Sequence, residues 1–187
     1  VRTATPVIPD GRLDEPVWAV APAYPLVMPV TGAQPEPGTA QFAWDDQHIY
    51  VAVRFTDSDV IQENDKDQAH HYTSGDVAEL FLKPAGETFY WELYATPNGR
   101  RTTFFLPGRG RLGLPSMEKY SCDLRTGVAV DGTLNDWRDR DQGWTAEFAM
   151  PWVDLAAQGA AVGPQSPWHV LVARYNYSRW VSRLELS

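Results

Sequence analysis

From Gln41 onward, apolar and polar residues alternate with the two-residue period of β-strands, in short runs broken by turn residues. Residues 41–45 and 48–56 read as two strands of a hairpin, joined by Asp45-Asp46-Gln47. Residues 76–83 and 88–96 form a second pair around Pro84-Ala85-Gly86, and Pro97-Asn98-Gly99 closes the latter strand. Further strands are predicted at 126–130, 143–150 and 168–177. Residues 13–19 and 151–157 read as single helical turns, the first with Asp14 as its cap and Pro16 in its first turn. Pro22, Pro25, Pro29, Pro35 and Pro37 exclude a helix over 20–39. Two connections, 57–75 and 101–120, are longer than usual, and the second carries Arg109 and Arg111 among glycines and prolines. Many short strands with turns between them predict an all-β fold: an antiparallel sandwich of two packed sheets, in one domain spanning 1–187.

The same alternation sorts residues onto faces. In 48–56, Ile49, Val51, Val53 and Phe55 share the apolar side, leaving Tyr50, Ala52, Arg54 and Thr56 opposite. In 88–96, Phe89, Trp91, Leu93 and Ala95 are apolar, with Tyr90, Glu92 and Tyr94 opposite. The strand 76–83 separates poorly: Val77, Glu79 and Phe81 stand against Ala78, Leu80 and Leu82. Glu79 is notable there, because a carboxylate between apolar neighbours is costly when buried without a partner. Arg174 and Asn176 fall in line with Val170 and Val172. One sheet face is expected to gather Tyr50, Arg54, Glu79, Glu92, Tyr94, Arg174 and Asn176, which is equally the pattern of a wet face with cross-strand Arg–Glu pairs.

Charge narrows the ligand class. The formal net charge is -8, which argues against nucleic acid and anionic membranes as partners. No apolar run reaches the length of a membrane span. Cys122 is the only cysteine, so no disulfide forms within the chain. Eight Trp and eight Tyr supply flat rings, and only Lys66, Lys83 and Lys119 among the 16 basic residues are lysine. Rings and guanidinium forks suit sugar rings and their hydroxyl pairs, although a Trp-filled sandwich core in an Arg-rich composition has the same counts.

Four blocks in order resemble carbohydrate-binding module family 9 and the wider family-9-like (DOMON-like) domains. They are Ile8-Pro9-Asp10-Gly11-Arg12-Leu13-Asp14-Glu15-Pro16-Val17-Trp18, the hairpin from Ala43 to Asp57, Gly75-Asp76-Val77-Ala78-Glu79-Leu80-Phe81-Leu82, and the stretch from Gly143 to Trp152. The resemblance implies a β-sandwich that binds an oligo- or polysaccharide without catalysis. It implies a concave sheet face using aromatic stacking and carboxylate or Arg hydrogen bonds, in a protein of polysaccharide degradation or uptake. A catalytic domain, covalently joined or separate, is the expected partner. The chain starts at Val1 without Met, and the expected location is extracellular or periplasmic, after removal of a signal peptide. The family's first clamping aromatic corresponds to Tyr72, with His70 and His71 beside it. Its conserved-block Glu corresponds to Glu79, and the following strand supplies Tyr90, Glu92 and Tyr94. The second clamping ring normally follows the segment resembling Arg174-Tyr175-Asn176-Tyr177-Ser178, which leaves Trp180 as candidate. The full candidate set is Arg54, His71, Tyr72, Glu79, Glu92, Tyr94, Arg174, Asn176 and Trp180.

No cofactor is required by this reading, but some family members hold structural calcium. The acidic loop residues Asp57, Asp59, Asp65 and Asp67, or Asp136, Asp139 and Asp141, offer oxygen ligands of the right kind, and solvated turns look the same in sequence. Two other functions fit parts of the chain. A glycoside hydrolase would use Glu79 and Glu92 as its carboxylate pair. A haem-binding sandwich would need axial His or Met, for which Met150 reads better as core.

Overall fold

The period-two runs form strands because each can bury alternate residues between two sheets. The computed structural model describes residues 1–27, 36–108, 118–158 and 162–178. One antiparallel sheet runs β1 (Tyr24–Pro25), β2 (Gly38–Trp44), β3 (His48–Thr56), β9 (Gly143–Pro151), β8 (Arg125–Asp131). The other runs β10 (Trp168–Tyr175), β4 (Val77–Pro84), β5 (Tyr90–Ala95), β6 (Arg101–Leu106), β7 (Glu118–Lys119). Between them lies the main core, built from Val51, Val53, Phe55, Leu80, Leu82, Trp91, Leu93, Trp144, Ala146 and Phe148. Each Val, Leu or Phe side chain among them contributes about 1.5–3 kcal/mol when fully buried. The architecture is the all-β sandwich the pattern predicts.

Two local expectations change, and the second helical turn forms where it was expected. The stretch 101–120 begins with a strand, β6, because Pro97-Asn98-Gly99 is a hairpin turn (Gly99 at φ 77°) and Thr102 to Leu106 are strand formers. The first helical turn, α1, spans Pro16–Val20 with Pro16 in its first turn, but its cap is Glu15 rather than Asp14 and makes no side-chain capping bond. The second, α2, spans Trp152–Ala156.

The N-terminal segment closes the outer face of the first sheet. Val7, Val17 and Trp18 pack over Ala43, Tyr50, Ala52 and Ala149. Glu147, fully buried in β9, accepts hydrogen bonds from the Asp10 and Gly11 amides (3.0 and 2.8 Å) and from Trp18 Nε1 (2.8 Å). The Asp-Gly of the opening block is therefore a close backbone approach: a Cβ on Gly11 would lie 2.3 Å from the Val128 carbonyl carbon. Tyr50, expected on a wet face, is buried here and donates to Asp45 Oδ2 (2.6 Å). This part of the first sheet's outer face is thereby covered.

Candidate binding site

Strand register assembles the site. β4 pairs with β5 so that Glu79 lies opposite Tyr94 and Phe81 opposite Glu92. β10 sets Ala173 beside Glu79 and Tyr175 beside Val77, while β6 sets Phe104 beside Glu92. The partner residues Ala78, Leu80 and Leu82 take the core, which resolves the ambiguous strand and turns Glu79 outward. Val77, Tyr94, Phe104 and Leu106 form a separate apolar cluster there, joined by Tyr72 and Tyr90.

A short 3₁₀ turn, His71–Thr73, brings Tyr72 over this cluster. Tyr72 stacks on Tyr175 (centroids 5.3 Å, planes 27° apart) and meets Tyr94 edge-on at 6.5 Å. His70 stacks on Phe104 at 5.3 Å. The 5.3 Å separation of Tyr72 and Tyr175 is direct ring contact, so the pair makes one platform and leaves no slot for a sugar between them.

The carboxylates are held differently. Tyr94 donates its hydroxyl to Glu92 Oε2 at 2.7 Å. Glu79 is only 5% exposed, and among the described residues its Oε1 has no hydrogen-bond partner. Burial, then the charge of Glu92, pushes the Glu79 pKa up to about 7. Burial and the Glu79 carboxylate also raise the Tyr94 and Tyr175 hydroxyls. A buried carboxyl oxygen left without a partner can accept a hydrogen bond from a donor brought to it.

The candidate set thus divides. Tyr72, Glu79, Glu92 and Tyr94 come together. His71 does not join them: it is fully buried, its Nε2 meeting the Lys66 carbonyl (2.8 Å) and its Nδ1 the Thr102 hydroxyl (3.0 Å), and it anchors the turn that presents Tyr72. Arg54 belongs to the other sheet, on its outer side, across the sandwich. Arg174 points inward, as its alignment with Val172 requires, with its guanidinium 4.8 Å from the Phe55 ring centre. It bonds Asp57 Oδ2 (2.7 Å) and the Thr56 carbonyl (2.8 Å). Asn176 donates to Glu36 and accepts from the Ser178 amide, so it too is structural. Trp180 lies outside the described residues. Sequence reasoning missed Tyr175, although it alternates with Leu171 and Ala173, and Phe104, which sat in the stretch read as a loop.

Several of the calcium candidates have partners within the chain. Asp57 is ion-paired to Arg174, Asp141 accepts from the Val60 and Thr133 amides, and Asp136 is bound to Arg138. Among the described residues no three acidic, His or Cys side chains converge on one point suited to a metal.

The family described as carbohydrate family 9 binding domain-like matches residues 8–166. This chain belongs to that family. No curated protein matches the sequence. Among solved structures, it is similar to a proposed carbohydrate-binding protein from Bacteroides uniformis (14% identity, TM-score 0.66, covering 88% of this chain and 75% of that one). It is also similar to a family 9 carbohydrate-binding module from Caldicellulosiruptor kristjanssonii in complex with cellotriose (14%, 0.55, 95% and 76%). The same kind of module in complex with glucose gives 15%, 0.53, 95% and 80%. At such identities the likeness is one of fold. In this family 9-like domain the first and fourth sequence blocks meet at Glu147, and the third supplies Glu79.

Proposed function

We propose that this domain binds sugars without transforming them, on the outer face of the β10-β4-β5-β6 sheet. The observation that carries the reading is Glu79, whose unpartnered, occluded oxygen sits among Tyr72, Tyr94 and Tyr175. A pyranose laid on the Tyr72–Tyr175 platform would bury its apolar face against the rings, and its hydroxyls would donate to Glu79 and Glu92. Family membership supports this, as do the glucose and cellotriose complexes of similar folds. We assign the domain to polysaccharide degradation or uptake outside the cytoplasm, working beside a catalytic domain.

Calorimetric titration against mono- and oligosaccharides tests the reading. Saturable heat is expected, and Tyr72→Ala should weaken binding by about 1–3 kcal/mol through the lost stacking surface. No heat with any sugar would sink the proposal. A hydrolytic reading also has one observation behind it, since a carboxyl raised to about 7 beside a second carboxylate resembles an acid–base pair. Release of reducing ends, abolished by Glu79→Gln, would establish it.

A further inference from the structure

We propose that the sugar preferred at this face carries a protonated amine, a glucosamine-type ring whose ammonium is held by Glu79 and Glu92. The inference rests on sugar binding at this face and names the ligand class. Glu79 and Glu92 are diagonal neighbours across the β4–β5 pair, which puts their backbones about 7 Å apart with side chains on one face. Like charges that close repel, and Glu79 is also stripped of water and lacks a partner on one oxygen.

Among the described residues, no Lys or Arg side chain forms an ion pair with them. Lys83 and Lys119 share the face but stand at its margins, Lys83 bonding the Pro84 carbonyl at the end of its strand and Lys119 sitting on the terminal strand β7. Among the described residues the donor on the pair is a neutral phenol, Tyr94, which bonds Glu92 Oε2 and also acts on the Glu79 carboxyl, leaving Glu79 Oε1 without a partner. Neutral hydroxyls would satisfy the idle oxygen but leave both charges uncompensated. An ammonium brings three donors and the missing charge together, and charge-assisted bonds are roughly twice as strong as neutral ones. The surrounding rings reinforce the choice, because aromatic faces attract cations as well as sugar C–H surfaces. A net charge of -8 would steer such a ligand inward. The raised pKa of Glu79 is the same imbalance seen from the proton's side: the site recruits a proton when no other cation is present.

The test compares glucose, glucosamine and N-acetylglucosamine by calorimetry near neutral pH and at low salt. All three present a similar ring, and acetylation removes the charge. Glucosamine should bind about tenfold tighter than the other two, the gain expected of a charge-assisted over a neutral bond. The advantage should shrink as salt is raised. Its binding heat should vary with the ionisation heat of the buffer, because the ammonium displaces the Glu79 proton. In Glu79→Gln, which keeps the shape but not the charge, the ratio of glucosamine to glucose affinity should fall to about one, whatever the variant does to both affinities. Glucose binding as tightly as glucosamine, or a preference that survives Glu79→Gln, would overturn the inference and leave sugar binding standing. Silence with all three, extended to neutral oligosaccharides, would overturn both. The wild-type comparison needs no variant, so a folding defect in Glu79→Gln does not obscure the answer.

Discussion

Glu79 shows how one side chain couples folding to proton binding. Its carboxyl has an ordinary pKa of 4.5 and is raised to about 7 in the folded protein, so the native state holds the proton more tightly than the unfolded chain. The stability linked to that proton is fully present below about 4.5 and is lost as pH climbs through about 7. Glu79→Gln cannot lose it. The variant should match the wild type at the acidic end and exceed it by about 1–3 kcal/mol at mildly alkaline pH, as judged by urea unfolding across the window. A difference that stays constant with pH would mean that Glu79 is charged and compensated throughout. Comparison with the variant is essential, because burial and the charge of Asp57 push Asp76 up to about 8, in an overlapping range.

At the scale of elements, the N-terminal segment and β9 form one unit. Glu147 satisfies two amides and an indole that would otherwise be buried unpaired. Glu147→Ala should therefore cost about 2–5 kcal/mol in thermal or urea unfolding, several lost partners being involved at once. Gly127 is just as constrained, since a Cβ there would lie 2.3 Å from the Pro9 carbonyl carbon. Gly127→Ala should lift the segment from β8 and destabilise by about 1–3 kcal/mol, with a change in Trp18 fluorescence as the local sign. Neither substitution should alter sugar affinity in the folded protein, because this segment covers the sheet face opposite the candidate site. A sugar-binding defect at full folding would contradict that separation.

At the scale of the whole molecule, Arg174 ties the two sheets together. It rises from β10 of one sheet and reaches Phe55, the Thr56 carbonyl and Asp57 at the end of β3 in the other, with Glu36 4.0 Å away. Removing the cation leaves Asp57 and Glu36 buried and facing each other. Arg174→Met should cost about 3–5 kcal/mol, and adding Asp57→Asn should recover part of it, the coupling being read from a double-mutant cycle. Additive effects of the two changes would show that the pair contributes nothing as a pair. The brace also explains why an arginine read as a sugar contact is absent from the site: the same alternation that placed it with Val172 sends it into the sandwich.

The sandwich, its strands and most of its core were legible because burial between sheets imposes a period of two that a single strand carries on its own, as in Ile49, Val51, Val53 and Phe55. Glu79, Glu92 and Tyr94 were legible as candidates because their residue types stand out against apolar neighbours, and Tyr72 through the family resemblance. Their assembly was not. Whether Glu79 or Leu80 faces inward depends on the cross-strand register of β4 with β5 and β10. Whether Tyr50 is wet depends on a segment more than 30 residues earlier in the chain folding over it, with Val17 and Trp18 in the lid. The sequence by itself determined which faces each strand has. Only the tertiary structure decided which faces are covered, because covering is done by distant segments whose contacts leave no local period.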